Sequence, residues 1–307
     1  MTVSASSLPR SVLSSFHSPV SWLNMTTSAS TPTLISSVPE LGAFLSSIPP
    51  SSTLCLDLEG YSLSRHGTIS IITILIHPQN VVRLIDILVL GESAFTTVSN
   101  NGKTLKSIFE DPNIPKYIWD VRNDADALWA LYGVGLGGVT DIQLLENASR
   151  TGDKTYIRGL DKCVQYDLKM KLDFRKINRW IQIKREVQNL MSADVFASRP
   201  MDAKTVQYCA NDVIHLPDLH DLYWNRMGPD WRAKAMEESA RRVAEAHSPG
   251  YKPQSPTKTL GPWGSGTERR HVTLNQWRED DFFGDDDEVG YYDDNDDYDD
   301  YDPDDWR

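Results

Sequence analysis

Three apolar runs near the start of the chain constrain its fold most. Ser52 to Leu58, Thr68 to Ile76 and Val81 to Ile85 are short and rich in aliphatic and β-branched residues. Short connections join them, the last being the turn Pro78-Gln79-Asn80. Such runs predict strands of an antiparallel or mixed sheet. A helix over Pro39 to Ile48 precedes them, and Pro49-Pro50 stops it. Beyond them the spacing predicts a helix over Lys103 to Phe109 and a strand over Tyr117 to Trp119. A helix then opens at Asn123 or Asp124 and runs through Leu131 to a stop at Gly133. A strand over Val139 to Asp141 and a helix over Ile142 to Ala148 follow. From Gly159 the pattern is helical: Leu160 to Leu168, Ile177 to Leu190, Asp202 to Tyr223 and Trp231 to Ala246. Strands first, then both, then helices alone predict an α/β layered domain.

The two ends differ from this middle. Residues 1–37 are rich in Ser and Thr with a single Arg and no acid, and are expected to be disordered because they offer little apolar surface to bury. The same composition weakly resembles a mitochondrial transit peptide. The folded domain is expected over residues 38–247, a linker rich in Pro, Gly, Ser and Thr over 248–278, and an acidic disordered tail over 279–307. That tail holds sixteen acids and one Arg, a net of −15 against −12 for the whole chain, which leaves residues 1–278 at +3. A mildly basic body is compatible with a phosphate-bearing ligand. The tail is expected to be a solubilising segment, to bind a basic partner, or to bind the domain itself as an autoinhibitor. No run of about 18 apolar residues occurs, so no membrane span or membrane partner is expected. Cys55, Cys163 and Cys209 lie far apart and form no CxxC, against a zinc ribbon or disulfide framework. They read as reduced thiols of an intracellular protein, nuclear or cytoplasmic.

Acidic residues recur at three places. Asp57 and Glu59 stand two apart on a predicted strand, so both carboxylates share one face while Leu56 and Leu58 take the other. Two such acids repel unless a cation lies between them, which makes a metal site, although the pair also reads as a solvated strand end. Tyr208 and Asp212 stand four apart on a predicted helix and share a face, a spacing that also arises by chance. Asp120, Asp124 and Asp126 crowd one strand-to-helix turn, where a helix cap is the ordinary role for Asp124.

In combination these segments resemble the exonuclease motifs of the DEDD superfamily, 3′–5′ exonucleases, in its tyrosine branch. RNase D and the eukaryotic exonuclease-domain family that includes Egalitarian are the relatives in view. The first motif is Asp57-Leu58-Glu59-Gly60, continued by Arg65-His66-Gly67-Thr68-Ile69-Ser70. The second is Asp120-Val121-Arg122 with Asp124 and Leu128. The third is Phe196-Ala197-Ser198-Arg199-Pro200-Met201, then Tyr208-Cys209, Asp212-Val213, Leu216-Pro217, Leu219 and Tyr223, with Trp180 and Lys184 on a preceding helix. The histidine branch carries His five residues before the last Asp; here that position is Gln207, and Tyr208 stands four before. Two features depart from the pattern. Asn189 to Val195 is short and lacks glycine, and Ile72-Thr73-Ile74 stands where many relatives have a Gln.

The resemblance implies an RNase H-like mixed central sheet flanked by helices, with a helical C-terminal part. It implies two divalent cations, Mg²⁺ or Mn²⁺, about 4 Å apart, clamping an in-line displacement at phosphorus. Asp57, Glu59, Asp124 and Asp212 would be the metal ligands. Asp57 would bridge both ions, Glu59 and Asp212 would complete the first site, and Asp124 would support the second. Tyr208 would orient the attacking water. Arg122, Lys184 and Arg199 would bind nucleic acid, either RNA or single-stranded DNA. Hydrolysis of phosphodiester bonds would release 5′ nucleoside monophosphates. The alternative implied by the family is a catalytically weak nucleic-acid-binding adaptor.

Overall fold

The computed structural model describes residues 31–190 and 194–264. Among the described residues, six strands form one mixed sheet: β1 (Thr33–Ile35), β2 (Thr53–Glu59), β3 (Ile71–His77), β4 (Val81–Asp86), β5 (Lys116–Ile118) and β6 (Val139–Asp141), in the order β1-β4-β3-β2-β5-β6. The three apolar runs become the antiparallel meander β2, β3 and β4, with Asp57 opposite Thr73 and Glu59 opposite Ile71. The turn between β3 and β4 carries Asn80 at φ 55°, a left-handed conformation that Asn tolerates. β5 and β6 add to β2 in parallel, and β1 adds to β4 in parallel at the far edge.

Helices cover both faces. α1 (Val38–Ser47), α2 (Ile87–Leu90), α3 (Ser93–Thr96), α4 (Leu105–Glu110) and α5 (Arg122–Tyr132) pack on one side. α6 (Ile142–Ser149), α7 (Leu160–Asp167), α8 (Phe174–Gln188), α9 (Ala203–Ile214) and α10 (Leu216–Arg226) pack on the other, and α11 (Pro229–His247) closes the β6 edge. Strand alternation sorts the two cores. Leu54, Leu56, Leu58, Ile72 and Ile74 meet the α1 to α5 layer. Cys55, Ile71, Leu75 and Leu84 meet Trp180, Cys209 and Val213. Asp57 and Glu59 share the face of Cys55, and so turn toward α8 and α9.

Local signals mark the helix ends. Ser37 and Glu40 form a capping box on α1, and Asp202 caps α9 through the backbone N–H of Lys204. Gly133 ends α5 at φ 61°, the left-handed cap that glycine supplies without strain. The single helix expected over Asp202 to Tyr223 is two helices that break at His215. Pro217, in the first turn of α10, has no N–H to donate and its ring would crowd the carbonyl of Val213 in a continuous helix.

Two expectations about order need correction. Residues 33–35, placed in the disordered N-terminal segment, form β1: the edge of β4 offers unpaired backbone groups, and Thr33-Leu34-Ile35 satisfies them. Residues 248–264, placed in the linker, fold back on the domain. They contain a 3₁₀ turn (Pro256–Thr259), an antiparallel bridge from Leu260 to Tyr156, and Trp263 set edge-on to Trp231 at 5.6 Å. The rest of the two end segments, including the whole acidic tail, lies outside the described residues.

An ion pair ties the stretch before α9 to the end of β4. Arg199 donates two bonds of 2.6 Å to Asp86, the fully buried N-cap of α2, and further bonds to the carbonyls of Phe196 and Ser198. Arg199→Ala leaves that carboxylate buried without its partner. We expect a loss of about 3–5 kcal/mol, read as a drop in the urea midpoint; an unchanged midpoint would show that water replaces the guanidinium at no cost.

Candidate active site

β2 ends in the first two acids, and α9 brings the third. One carboxylate oxygen each from Asp57, Glu59 and Asp212 lie within 4.8 Å of one another. Tyr208 sits one helical turn before Asp212, buried against the same group. Asp124 stands in the first turn of α5, outside the tight trio but near enough for the Asp57 charge to act on it. The four sequence-predicted ligands therefore gather at the C-terminal ends of β2 and β5. Asp57 and Glu59 keep partial exposure, while Asp124 and Asp212 are 6% and 7% exposed.

The electrostatics are those of a crowded acid cluster. Burial, then the Asp212 charge, pushes the Asp57 carboxyl up to about 8, with Lys184 opposing. Burial, then Asp57 and Asp212, holds Glu59 well above the ordinary carboxylate range. Burial, then Asp57 and Asp120, does the same to Asp124. The Tyr208 phenol is raised by burial and by Asp212, Glu59 and Asp57, so it stays protonated. Acids this close cannot all ionise without a cation. One is already at hand: Lys184 Nζ lies 3.2 Å from Asp212, over the rings of Trp180 at 5.2 Å and Tyr208 at 5.9 Å. The Trp180 indole N–H donates to the carbonyl of Asn211 at 3.1 Å and locks α8 to α9 beside Asp212. A single ammonium does not balance the set, and Asp57 Oδ2 is buried with no hydrogen-bond partner. An oxygen-only donor set with an orphaned carboxylate oxygen fits a hard divalent cation of the Mg²⁺ or Mn²⁺ kind.

The other candidates are placed differently. Arg122 grips Asp120 with bonds of 2.5 and 2.7 Å and donates to the Lys258 carbonyl. Arg199 is held by Asp86. Both guanidiniums already balance carboxylates of the fold, so of the three expected nucleic-acid contacts only Lys184 reaches the acid cluster. Asp126, fully buried, binds the backbone N–H and guanidinium of Arg65 and belongs to the scaffold. A second acid group, Glu146, Cys163 and Asp167, is also close-set. There Arg150 and Arg158 already pair with Glu146, and the Tyr223 hydroxyl donates to Asp167 at 2.8 Å. All three cysteines are free and buried, and among the described residues no helix is long and apolar enough to cross a membrane. Sequence reasoning missed Lys258, whose Nζ donates at 2.6 Å to Asn123, the neighbour of Asp124. Its setting among Pro, Ser and Thr carries no signal of a site.

Known proteins resemble this chain in sequence and in fold. The 3′–5′ exonuclease family matches residues 33–227. The piRNA biogenesis protein EXD1 of Mus musculus is 36% identical over 107 residues, 35% of this chain and 17% of that protein. EXD1 of Xenopus laevis is 26% identical over 203 residues, 63% of this chain and 42% of that protein. The chain thus spans less than half the length of the curated relatives it matches. The fold is similar to that of Trypanosoma brucei RNase D in complex with RNA U12, with a TM-score of 0.59 at 20% identity over 82% of this chain and 79% of that one. The GMP complex of the same enzyme gives a TM-score of 0.56 at 23% identity over 71% and 65% of the two chains. Escherichia coli RNase D gives 0.51 at 18% identity over 70% and 50%. With acids of separate segments gathered on a sheet whose fold is similar to that of RNase D, and with the family matching more than half of its length, the chain belongs to the 3′–5′ exonuclease family.

Proposed function

We propose that the chain is an active metal-dependent 3′–5′ exonuclease that hydrolyses phosphodiester bonds of single-stranded nucleic acid and releases 5′ nucleoside monophosphates. The observation that carries this reading is the meeting of Asp57, Glu59 and Asp212 within 4.8 Å, with Asp57 Oδ2 left unpartnered. Asp57, Glu59 and Asp212 would hold one cation, and Asp124 with Asp57 a second. Bound there, the cations would supply positive charge for activating water and for stabilising the leaving 3′ oxygen. Tyr208 donates its phenolic proton toward the attacking water and fixes its line of approach. Lys184 holds Asp212 in place and adds positive charge beside the scissile phosphate. RNA is the substrate to favour, since the structurally similar trypanosomal RNase D is known with RNA U12 and with GMP.

The test uses 5′-labelled single-stranded RNA and DNA with Mn²⁺. A ladder shortening from the 3′ end, RNA faster than DNA, and silenced by EDTA is the expected result. Retention of RNA without shortening would replace the enzyme with a binding adaptor.

A further inference from the structure

The matched family region ends at residue 227, yet the chain continues through α11 and returns to the N-terminal turn of α5. Residues 248–260 form a strap over the N-terminal turn of α5, the turn that carries Asp124. Five hydrogen bonds hold it. The Tyr251 hydroxyl donates to Asn123 Oδ1 at 2.8 Å. Lys258 Nζ donates to the same oxygen at 2.6 Å. The Lys258 carbonyl accepts from Arg122 at 2.9 Å. Arg65, in the loop after the first motif, reaches the carbonyls of Ala246 and Ser248 at 2.8 Å each. Downstream, the bridge from Leu260 to Tyr156 and the close seating of Gly261 on the Lys154 carbonyl anchor the far end, where any added Cβ would collide with backbone. The strap therefore joins the loop of the first motif to the helix of the second.

Lys258 differs from the other cations near the site. Arg122, Arg199 and Lys184 each sit on a carboxylate within 3.2 Å. The Lys258 ammonium donates to the neutral oxygens of Asn123 and Pro253, at 2.6 and 3.3 Å. No carboxylate of the described residues makes an ion pair with it. It lies in the field of Asp120 and Asp124, and burial brings its ammonium down to about 8. A desolvated cation without a paired anion gains most from an anionic ligand.

We propose that the strap is part of the nucleic-acid-binding surface, and that Lys258 contacts a backbone phosphate of the substrate on the Asp124 side of the site. This rests on the exonuclease reading for the identity of the ligand. Lys258 thereby acts on substrate binding, and Tyr251 acts only as a brace that keeps Asn123 and the strap in place.

The test is binding of a fluorescent single-stranded RNA to the full chain in Ca²⁺ at several salt concentrations, so that binding is read apart from cleavage. Lys258→Met is expected to weaken binding about tenfold and to reduce the slope of log affinity against log salt by about 0.7, the share of one single-strand phosphate. Lys258→Arg is expected to restore both. Tyr251→Phe is expected to lower the melting temperature and leave the salt slope alone. An unchanged slope in Lys258→Met overturns the proposal. Should Lys258→Met fail to fold, a 3′-terminal 4-thiouridine photocrosslink in the native chain decides: crosslinks within residues 251–258 support the strap, and crosslinks only elsewhere refute it. Absence of any RNA binding by the native chain would instead count against the exonuclease reading itself.

Discussion

Asp57→Asn is expected to cut exonuclease turnover by a factor on the order of 10³ or more, while stabilising the metal-free protein at alkaline pH. The first effect follows from the position of Asp57 at the meeting point of the acids, the one ligand close to both Asp212 and Asp124. The second follows from proton linkage. An unfolded Asp titrates near 3.9, whereas burial and the Asp212 charge raise Asp57 to about 8 in the fold. Between those values the folded state holds a proton that the unfolded state releases. Stability of the metal-free chain therefore falls as pH rises from about 4 to about 8. Glu59 and Asp124, raised for the same first reason of burial, add slope of the same sign. Asparagine carries no titrating proton, so the variant loses the Asp57 share of that slope. Thermal melts from pH 4 to 8.5 check this. The variant should match the native chain at pH 4 and exceed it at pH 8, and Mg²⁺ should stabilise the native chain more than the variant. Equal slopes would mean that Asp57 is not held in its protonated form.

Tyr208→Phe is expected to lower kcat by about 10²-fold with KM and metal-induced stabilisation nearly unchanged. The ring packs against Phe196 at a centroid separation of 5.9 Å, and phenylalanine keeps that contact. What is lost is the hydroxyl. Burial, with Asp212, Glu59 and Asp57 close by, keeps the phenol protonated, so it serves as a donor and contributes no break of its own to the pH–rate profile. Single-turnover digestion with 5′-labelled RNA separates the chemical step from binding. A variant with native turnover would remove Tyr208 from the mechanism. One with weakened Mn²⁺ binding would make it a support of the metal ligands.

What is legible in the sequence is short-range. Asp57 and Glu59 share a strand face, and Tyr208 and Asp212 share a helix face, because both relations are set by backbone period over two or four residues. The α5 stop at Gly133 is equally local. β1 escaped notice because three residues at the end of a Ser/Thr-rich segment become a strand only through the free edge of β4, some fifty residues later. Arg199 looked like a phosphate ligand because its charge is visible in the sequence while its partner Asp86, 113 positions away, is not. Lys258 was hidden for the opposite reason: composition typical of a linker concealed a segment held by contacts to Asn123 and Arg122, 135 and 136 positions away. The break at His215 had a local cause in Pro217, and the helical spacing on both sides outweighed it.

Exonuclease activity of this chain depends on Asp57, Glu59 and Asp212 forming a cation site. Anomalous diffraction from crystals soaked in Mn²⁺ tests it most directly. A peak bonded to oxygens of Asp57, Glu59 and Asp212 is expected, and its loss in Asp57→Asn crystals. A map with no peak there, or with Mn²⁺ only beside Glu146, Cys163 and Asp167, would contradict it.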